Sequence, residues 1–157
     1  MAGKKLCFDI LSMRHKGFRV YQDLFSEVLR RYQLTQMEMD ILLFLANNPE
    51  YDTASEIVRV RPLTKSHVSA SIEQLVQKGM LSRNHDRNNR RVTHLALLPE
   101  AELIVEDGRR CQREFTELLS FGIEAEKLET AEEVMQQMME NMKSYRKKKE
   151  EKEDPEL

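Results

Sequence analysis

Between Thr53 and Leu95 two short helix patterns run straight into a polar, arginine-rich ribbon, an order that leaves few folds open. The segment reads TASEIVRVRPLTKSHVSASIEQLVQKGML and continues SRNHDRNNRRVTHL. Thr53-Ala-Ser-Glu56 is a capping box, in which the threonine hydroxyl and the glutamate satisfy each other's orphan backbone N–H groups. The helix it opens must stop before Pro62, because a proline disfavours helical backbone at the residue before it. Thr64 is placed to cap a second helix that runs to Gly79, a residue suited to a left-handed exit. Met80–Arg83 and Val92–Leu97 then pair as two antiparallel strands, with Asn84–Arg91 as a polar tip. Helix, turn, helix and charged ribbon is the order by which a small domain presents one helix and one loop to a duplex.

The second helix has two distinct sides. Val68, Ile72, Leu75 and Val76 share a face that should be buried. The other side and the first turn carry Thr64, Lys65, Ser66, His67, Ser69, Ala70, Ser71 and Gln74. These short or hydrogen-bonding groups let a helix backbone come close to base edges in a major groove. A purely structural surface would more often carry long, oppositely charged pairs. In the ribbon, Arg83, Arg87, Arg90 and Arg91 suit a narrow minor groove, where negative potential concentrates.

Charge distribution supports this placement. The formal net charge is -2, yet the stretch from Thr53 to Leu95 holds eight Lys/Arg against three acids. Phosphate attraction is felt within about 10 Å at ordinary salt, so the local excess outweighs the total.

The rest of the chain reads as helical support. Apolar residues recur at helical spacing from Ile10 and Leu11 through Phe18, Tyr21, Leu24, Phe25, Val28 and Leu29 to Tyr32. Thr35-Gln-Met-Glu38 is another capping box, opening a helix that ends at Asn47-Asn48-Pro49. After Pro99, suited to a helix's first turn, a pattern through Leu103, Ile104, Cys111, Phe115, Leu118 and Leu119 breaks near Phe121-Gly122. A last helix carries Leu128, Ala131, Val134, Met135, Met138, Met139, Met142 and Tyr145. Its unbranched methionines suit an irregular packing surface, which we read as a subunit interface. The expected fold class is mainly α with a small β-hairpin wing: a winged helix-turn-helix flanked by long terminal dimerisation helices. The expected boundaries are 1–34 for the N-terminal dimerisation helix, 35–98 for the winged domain and 99–147 for the C-terminal dimerisation helices. A disordered charged tail is expected over 148–157.

Other classes are poorly served. With 5 Gly, 4 Pro and no Trp, a many-stranded fold lacks its turn and strand residues. No apolar run approaches the roughly 20 residues of a membrane span, and the start lacks a signal-peptide core, so a cytoplasmic location is expected. Cys7 and Cys111 make no disulfide framework or metal pattern, and His15, His67, His85 and His94 are scattered, so no cofactor or metal is expected. No glycine-rich phosphate loop, nucleophile elbow or paired acids in an evident cleft suggests an enzyme.

Leu34-Thr35 at the start of the second helix, the Val68/Ile72/Leu75/Gly79 helix and the ribbon leading into Leu97 together resemble the MarR family of bacterial transcriptional regulators. That resemblance extends over nearly the whole chain. It implies an obligate two-fold homodimer built from the terminal helices, with each winged domain reading half of a palindromic double-stranded operator, usually as a repressor. Wings of this family commonly read Asp-x-Arg. Here the triplet is Asn89-Arg90-Arg91, so Arg91 takes the arginine place and Asn89 the acid's, orienting the guanidinium without neutralising it. The Leu-Thr-x-x-Gly usual after the wing is Leu97-Leu98-Pro99-Glu100-Ala101 here.

The resemblance also implies a small, often aromatic acid as effector. Arg14 and His15, with Phe18 and Tyr21 nearby, are the candidate lining. Some relatives sense oxidants through a first-helix cysteine; Cys7 invites that alternative but lies about four residues too early. Cys111 is expected to pack within the dimer. The remaining alternative class is a winged-helix dimer that binds an acidic protein partner through its basic ribbon. The small-residue face of Ser66, Ala70, Ser71 and Gln74 favours groove entry, since protein hot spots favour Tyr, Trp and Arg.

Overall fold

A computed structural model of the chain describes residues 2–60, 64–86, 89 and 92–153. Backbone contacts divide it into two compact units, Met1–Thr116 and Glu117–Leu157. The first unit opens with helix α1 (Ala2–Tyr32), followed by α2 (Gln36–Asn47), α3 (Ala54–Val60) and α4 (Lys65–Gln77). Strands β1 (Leu81–His85) and β2 (Thr93–Leu97) come next, then one 3-10 turn (Pro99–Ala101) and α5 (Glu102–Ser120), whose last turn runs into the second unit. Helix α6 (Ala125–Glu153) forms most of that second unit.

Local chemistry accounts for the helix ends. Thr35 caps α2 by a full box: Glu38 N donates to Thr35 Oγ1 at 3.2 Å, and Thr35 N donates to Glu38 Oε2 at 2.6 Å. Thr53 and Glu56 repeat the arrangement before α3 at 3.0 and 3.3 Å. Both boxes therefore form as the spacing predicts. Thr64 takes the N-cap position of α4 in extended backbone, but its side chain makes no capping bond, a correction to the expectation. At the far end Gly79 has φ +69°. Gly79 N donates to Val76 O at 3.0 Å and Met80 N to Leu75 O at 2.9 Å, a Schellman closure. Gln33 closes α1 the same way at φ 53°, a backbone region that asparagine or glycine would occupy more easily.

The hairpin is antiparallel, pairing Leu81 with Leu97, Arg83 with Leu95 and His85 with Thr93. Asn84 and His85, expected in the loop tip, thus belong to β1. The reason lies outside the hairpin: Thr53 bridges His94, and Leu95 N donates to Asp52 O at 2.7 Å, so β2 is held from both edges.

The core of the first unit joins Phe25 and Val28 of α1 to Met39, Leu42 and Leu43 of α2, Ile57 of α3 and Val68, Ile72 and Leu75 of α4. Leu81 and Leu95 close it from the hairpin, and Ile104, Val105 and Cys111 from α5. Each such side chain contributes about 1.5–3 kcal/mol relative to exposure. Gly108 lets α5 lie directly on α2, since a Cβ there would sit 2.8 Å from Met39 Sδ and 3.1 Å from Leu43 Cδ2. Cys111, expected to pack within the dimer, is buried inside its own chain, its thiol 3.4 Å from Leu24 O.

In the second unit, α6 continues through Glu153. Residues 148–153 are therefore helical where a disordered tail was expected. Lysine and glutamate are good helix formers, and here they stand at the three- and four-residue spacing that favours pairing. Positions 154–157 of that expected tail lie outside the described residues.

Candidate nucleic-acid interface

Helix α4 presents the face that its sequence implies. Val68, Ile72 and Leu75 are buried and Val76 half-buried, while Thr64, Lys65, Ser66, His67, Ser69, Ala70 and Gln74 are exposed and Ser71 half-buried. The small residues leave an open cleft of about 290 Å³ between the start of α2 and α4, lined by Thr35, Glu38, Ala70, Ser71, Glu73 and Gln74. Along this side Ala70 and Ser71 bring only small side chains to the α4 surface.

Three ion pairs fix how α4 and the wing sit, and two of them involve basic residues counted in the local excess. Lys78, just past α4, reaches back to the start of α2. Its Nζ lies 2.9 Å from both Glu38 Oε1 and Gln33 O. Glu38 is 3% exposed. Burial pushes its carboxyl upward, but the bonds from Lys78 and from the Thr35 backbone N–H outweigh that and leave it below the ordinary glutamate value. Lys78 is thus a structural pin.

Arg83 Nη1 donates to Glu73 Oε2 at 2.6 Å, tying β1 to α4. The guanidinium holds the Glu73 carboxyl below its usual range, first by this hydrogen bond and then by charge. Glu73 Oε1 also accepts from Gln77 Nε2 at 3.3 Å, and Gln77 Oε1 accepts from Gln74 Nε2 at 3.4 Å. Gln74 and Arg83, both expected at the DNA, are thus linked through two residues that the sequence reading did not single out. Glu73 and Gln77 carried one available signal, as polar residues on the exposed side of α4. Their partner on β1 had none, because no helical or strand period relates them.

The wing base carries the third pair. His94 Nδ1 lies 2.7 Å from Asp52 Oδ1, and its Nε2 lies 3.6 Å from Asp86 Oδ2. The bond to Asp52 raises the imidazole pKa, against a smaller opposing effect of burial, and Asp86 adds to the rise. Asp86 also accepts from Asn89 N at 2.6 Å, so the turn leaves β1 under an aspartate cap. Asn89 is exposed, while Arg87, Arg90 and Arg91 lie outside the described residues.

The candidate effector residues all stand on α1. Arg14, His15 and Phe18 are exposed along α1. Tyr21 packs in an aromatic cluster, its ring centroid 4.4 Å from Phe25 and 5.3 Å edge-on from Phe115. Cys7 is exposed. Among the described residues no three His, Cys, Asp or Glu side chains gather in a form that could hold a metal ion. None of the described helices is long and apolar enough to cross a membrane.

A helix-turn-helix whose second helix exposes a small polar face, followed at once by a two-stranded ribbon, defines a winged helix-turn-helix protein. Residues 32–92 match the model of the MarR family, which bears out the resemblance read from Leu34-Thr35, α4 and the wing. Solved structures similar to the chain include a MarR transcriptional regulator from Methanosarcina mazei, at 17% identity and TM-score 0.73 over 88% of this chain and 98% of that one. Another is the S. aureus MepR–DNA complex, at 18% identity and TM-score 0.70 over 83% and 93%. A third is Bordetella bronchiseptica BpsR, whose DNA binding is regulated by 6-hydroxynicotinic acid, at 17% identity and TM-score 0.66 over 83% and 98%. A comparison with curated proteins found no match. The chain therefore has the fold of MarR-family transcription regulators.

Proposed function

We propose that this protein is a sequence-specific DNA-binding transcriptional regulator, a repressor that binds a palindromic operator as a homodimer. The observation that carries the reading is the α4 surface. Ser66, Ala70, Ser71 and Gln74 leave the helix open to a groove edge, and α4 is clamped to α2 and β1 at its C-terminal end. Likeness to a MepR–DNA complex agrees with it. Exposed apolar side chains on both terminal helices support the dimer. Leu6, Phe8, Leu11, Met13 and Phe18 line α1, and Val134, Met135, Met139 and Met142 line α6. Single chains rarely leave so much apolar surface in water.

Arg91, with Arg87 and Arg90, takes the minor groove beside α4, and Asn89 orients the wing. A small aromatic acid lowers the affinity for DNA; Arg14 and His15 hold its carboxylate and Phe18 its ring. BpsR, regulated by such a compound, lends this part its support.

The test is selection from a random duplex library at two salt concentrations, with the mass in solution measured alongside. Enrichment of a palindrome by a dimer, with affinity falling steeply with salt, is the expected result. A monomer, or a library that stays random at both salts, would sink the reading in favour of a protein partner for the basic ribbon. Arg91→Ala should then weaken operator binding by at least about tenfold and leave the dimer mass unchanged.

A further inference from the structure

Glu73 is the sole acid in α4, and it stands on the open face between Ala70 and Gln74. An unpaired carboxylate there would repel the phosphates of any duplex the helix approached. It is paired, however: Arg83 meets Oε2 at 2.6 Å and Gln77 meets Oε1 at 3.3 Å. The two bonds do two things. They offset its charge, and they hold the carboxyl plane in one orientation on a helix whose backbone is itself pinned through Lys78. An ionised carboxylate offers about four acceptor sites, so acceptor capacity remains on both oxygens. In a major groove the bases that donate hydrogen bonds are cytosine, through its N4 amino group, and adenine, through N6. Adenine sets an N7 acceptor beside its amino group, which suits an amide better than a carboxylate.

We propose that Glu73, held by Arg83, is a specificity-determining residue that accepts a hydrogen bond from the N4 amino group of one cytosine in each half-site. This rests on the DNA-binding reading above. Thymine at that position would turn its O4 acceptor toward the carboxylate, and guanine its O6, leaving two acceptors face to face. Arg83 is a positioning residue here: its guanidinium is spent on Glu73, so it adds less to phosphate attraction than an unpaired arginine.

The test starts from the operator selected by the wild-type protein. Affinities are then measured for wild type and Glu73→Gln against duplexes carrying cytosine, thymine or 2-pyrimidinone (a cytosine without the N4 amino group) at each position. For wild type, one position per half-site should lose about five- to tenfold with either replacement. Glu73→Gln should lose the discrimination at that position alone and keep it elsewhere. Arg83→Met should weaken the same discrimination without moving it. The 2-pyrimidinone duplex probes the contact with the unaltered protein, so the outcome does not depend on a variant folding.

If Glu73→Gln binds every duplex more tightly by the same factor, with its base preferences intact, Glu73 is only a charge offset and the proposal is wrong. A wild-type protein that loses nothing on 2-pyrimidinone at any position overturns it equally. A wild-type protein that selects no sequence at all refutes the DNA-binding reading instead, which separates the two failures.

Discussion

Phe25 and Phe8 stand on the same helix, yet Phe25 is 0% exposed in the core of the first unit while Phe8 is 71% exposed. The contrast extends beyond α1. In the winged segment each large apolar position of α4 finds its place, and the buried carboxylate of Glu38 is paired with Lys78. In α6, Val134, Met135, Met139, Met142 and Tyr145 repeat at helical spacing and are all about half exposed or more. Both regions carry an amphipathic pattern, but only one satisfies it within the chain. Apolar periodicity therefore specifies that a face will be covered, not by what.

The largest effect that could break this comparison is in the core. Phe25→Ala should cost about 3–5 kcal/mol in chemical unfolding, because a fully buried ring leaves a cavity. Phe8→Ala should cost less than about 0.5 kcal/mol under conditions where the chain is monomeric. Equal costs would mean that the N-terminal half of α1 is folded against its own chain.

Next comes the pin between α4 and α2. Lys78→Met should cost roughly 2–3 kcal/mol, since it strands a buried carboxylate that keeps only its Thr35 bonds. The stabilisation is also pH-dependent in a defined direction. The folded-state pKa of Glu38 lies below its unfolded value, so the contribution is complete above about 4.3 and drains away as pH falls through the depressed folded value. Urea midpoints at neutral pH and near pH 3 should therefore differ less in Lys78→Met than in wild type.

How far each region was legible follows from the range of the forces that shape it. The capping boxes at Thr35 and Thr53 and the left-handed exit at Gly79 are contacts among residues at most a few positions apart, so a linear string displays them. The sides of α4 were legible for the same reason. Lys78–Glu38, Arg83–Glu73 and His94–Asp52 join elements through the fold, and no spacing rule connects their members. That is why Lys78 and Arg83 counted as free positive charge until the structure paired them, and why Glu73 went unnoticed. The β1 boundary was missed because its length depends on Asp52 and Thr53 holding β2 from the other side. The neighbour of Cys111 was not legible, because a buried stripe on α5 reads the same whether α1 of its own chain or a second copy covers it.

A third prediction addresses the uncovered side. Phe8→Asp combined with Met139→Asp should raise the dissociation constant of the proposed dimer by at least about tenfold, since each buries a charge in an apolar surface. The urea-unfolding free energy of the winged segment should stay within about 0.5 kcal/mol. Analytical ultracentrifugation and chemical unfolding on one sample decide it. A dimer that survives both substitutions places the interface elsewhere.

The smallest effect distinguishes the regions by their response to protons. His94 joins Asp52, which lies ahead of α3, to Asp86 at the end of β1, so its charge bears on the wing. The partners raise its pKa in the folded chain, so their hold on the wing is fully present below the ordinary imidazole value of about 6.5 and is lost as pH rises through the raised value. The pair is half-exposed and solvent-screened, so the change belongs to local opening rather than to global unfolding. Amide exchange, corrected for its intrinsic pH dependence, should show Leu95 and Asp86 losing protection in wild type as pH rises above about 6.5. The same amides in His94→Gln should show no such step, and amides of α6 should show none in either protein. If α6 follows the same step as the wing, the two regions do not respond separately and the contrast drawn from their burial fails.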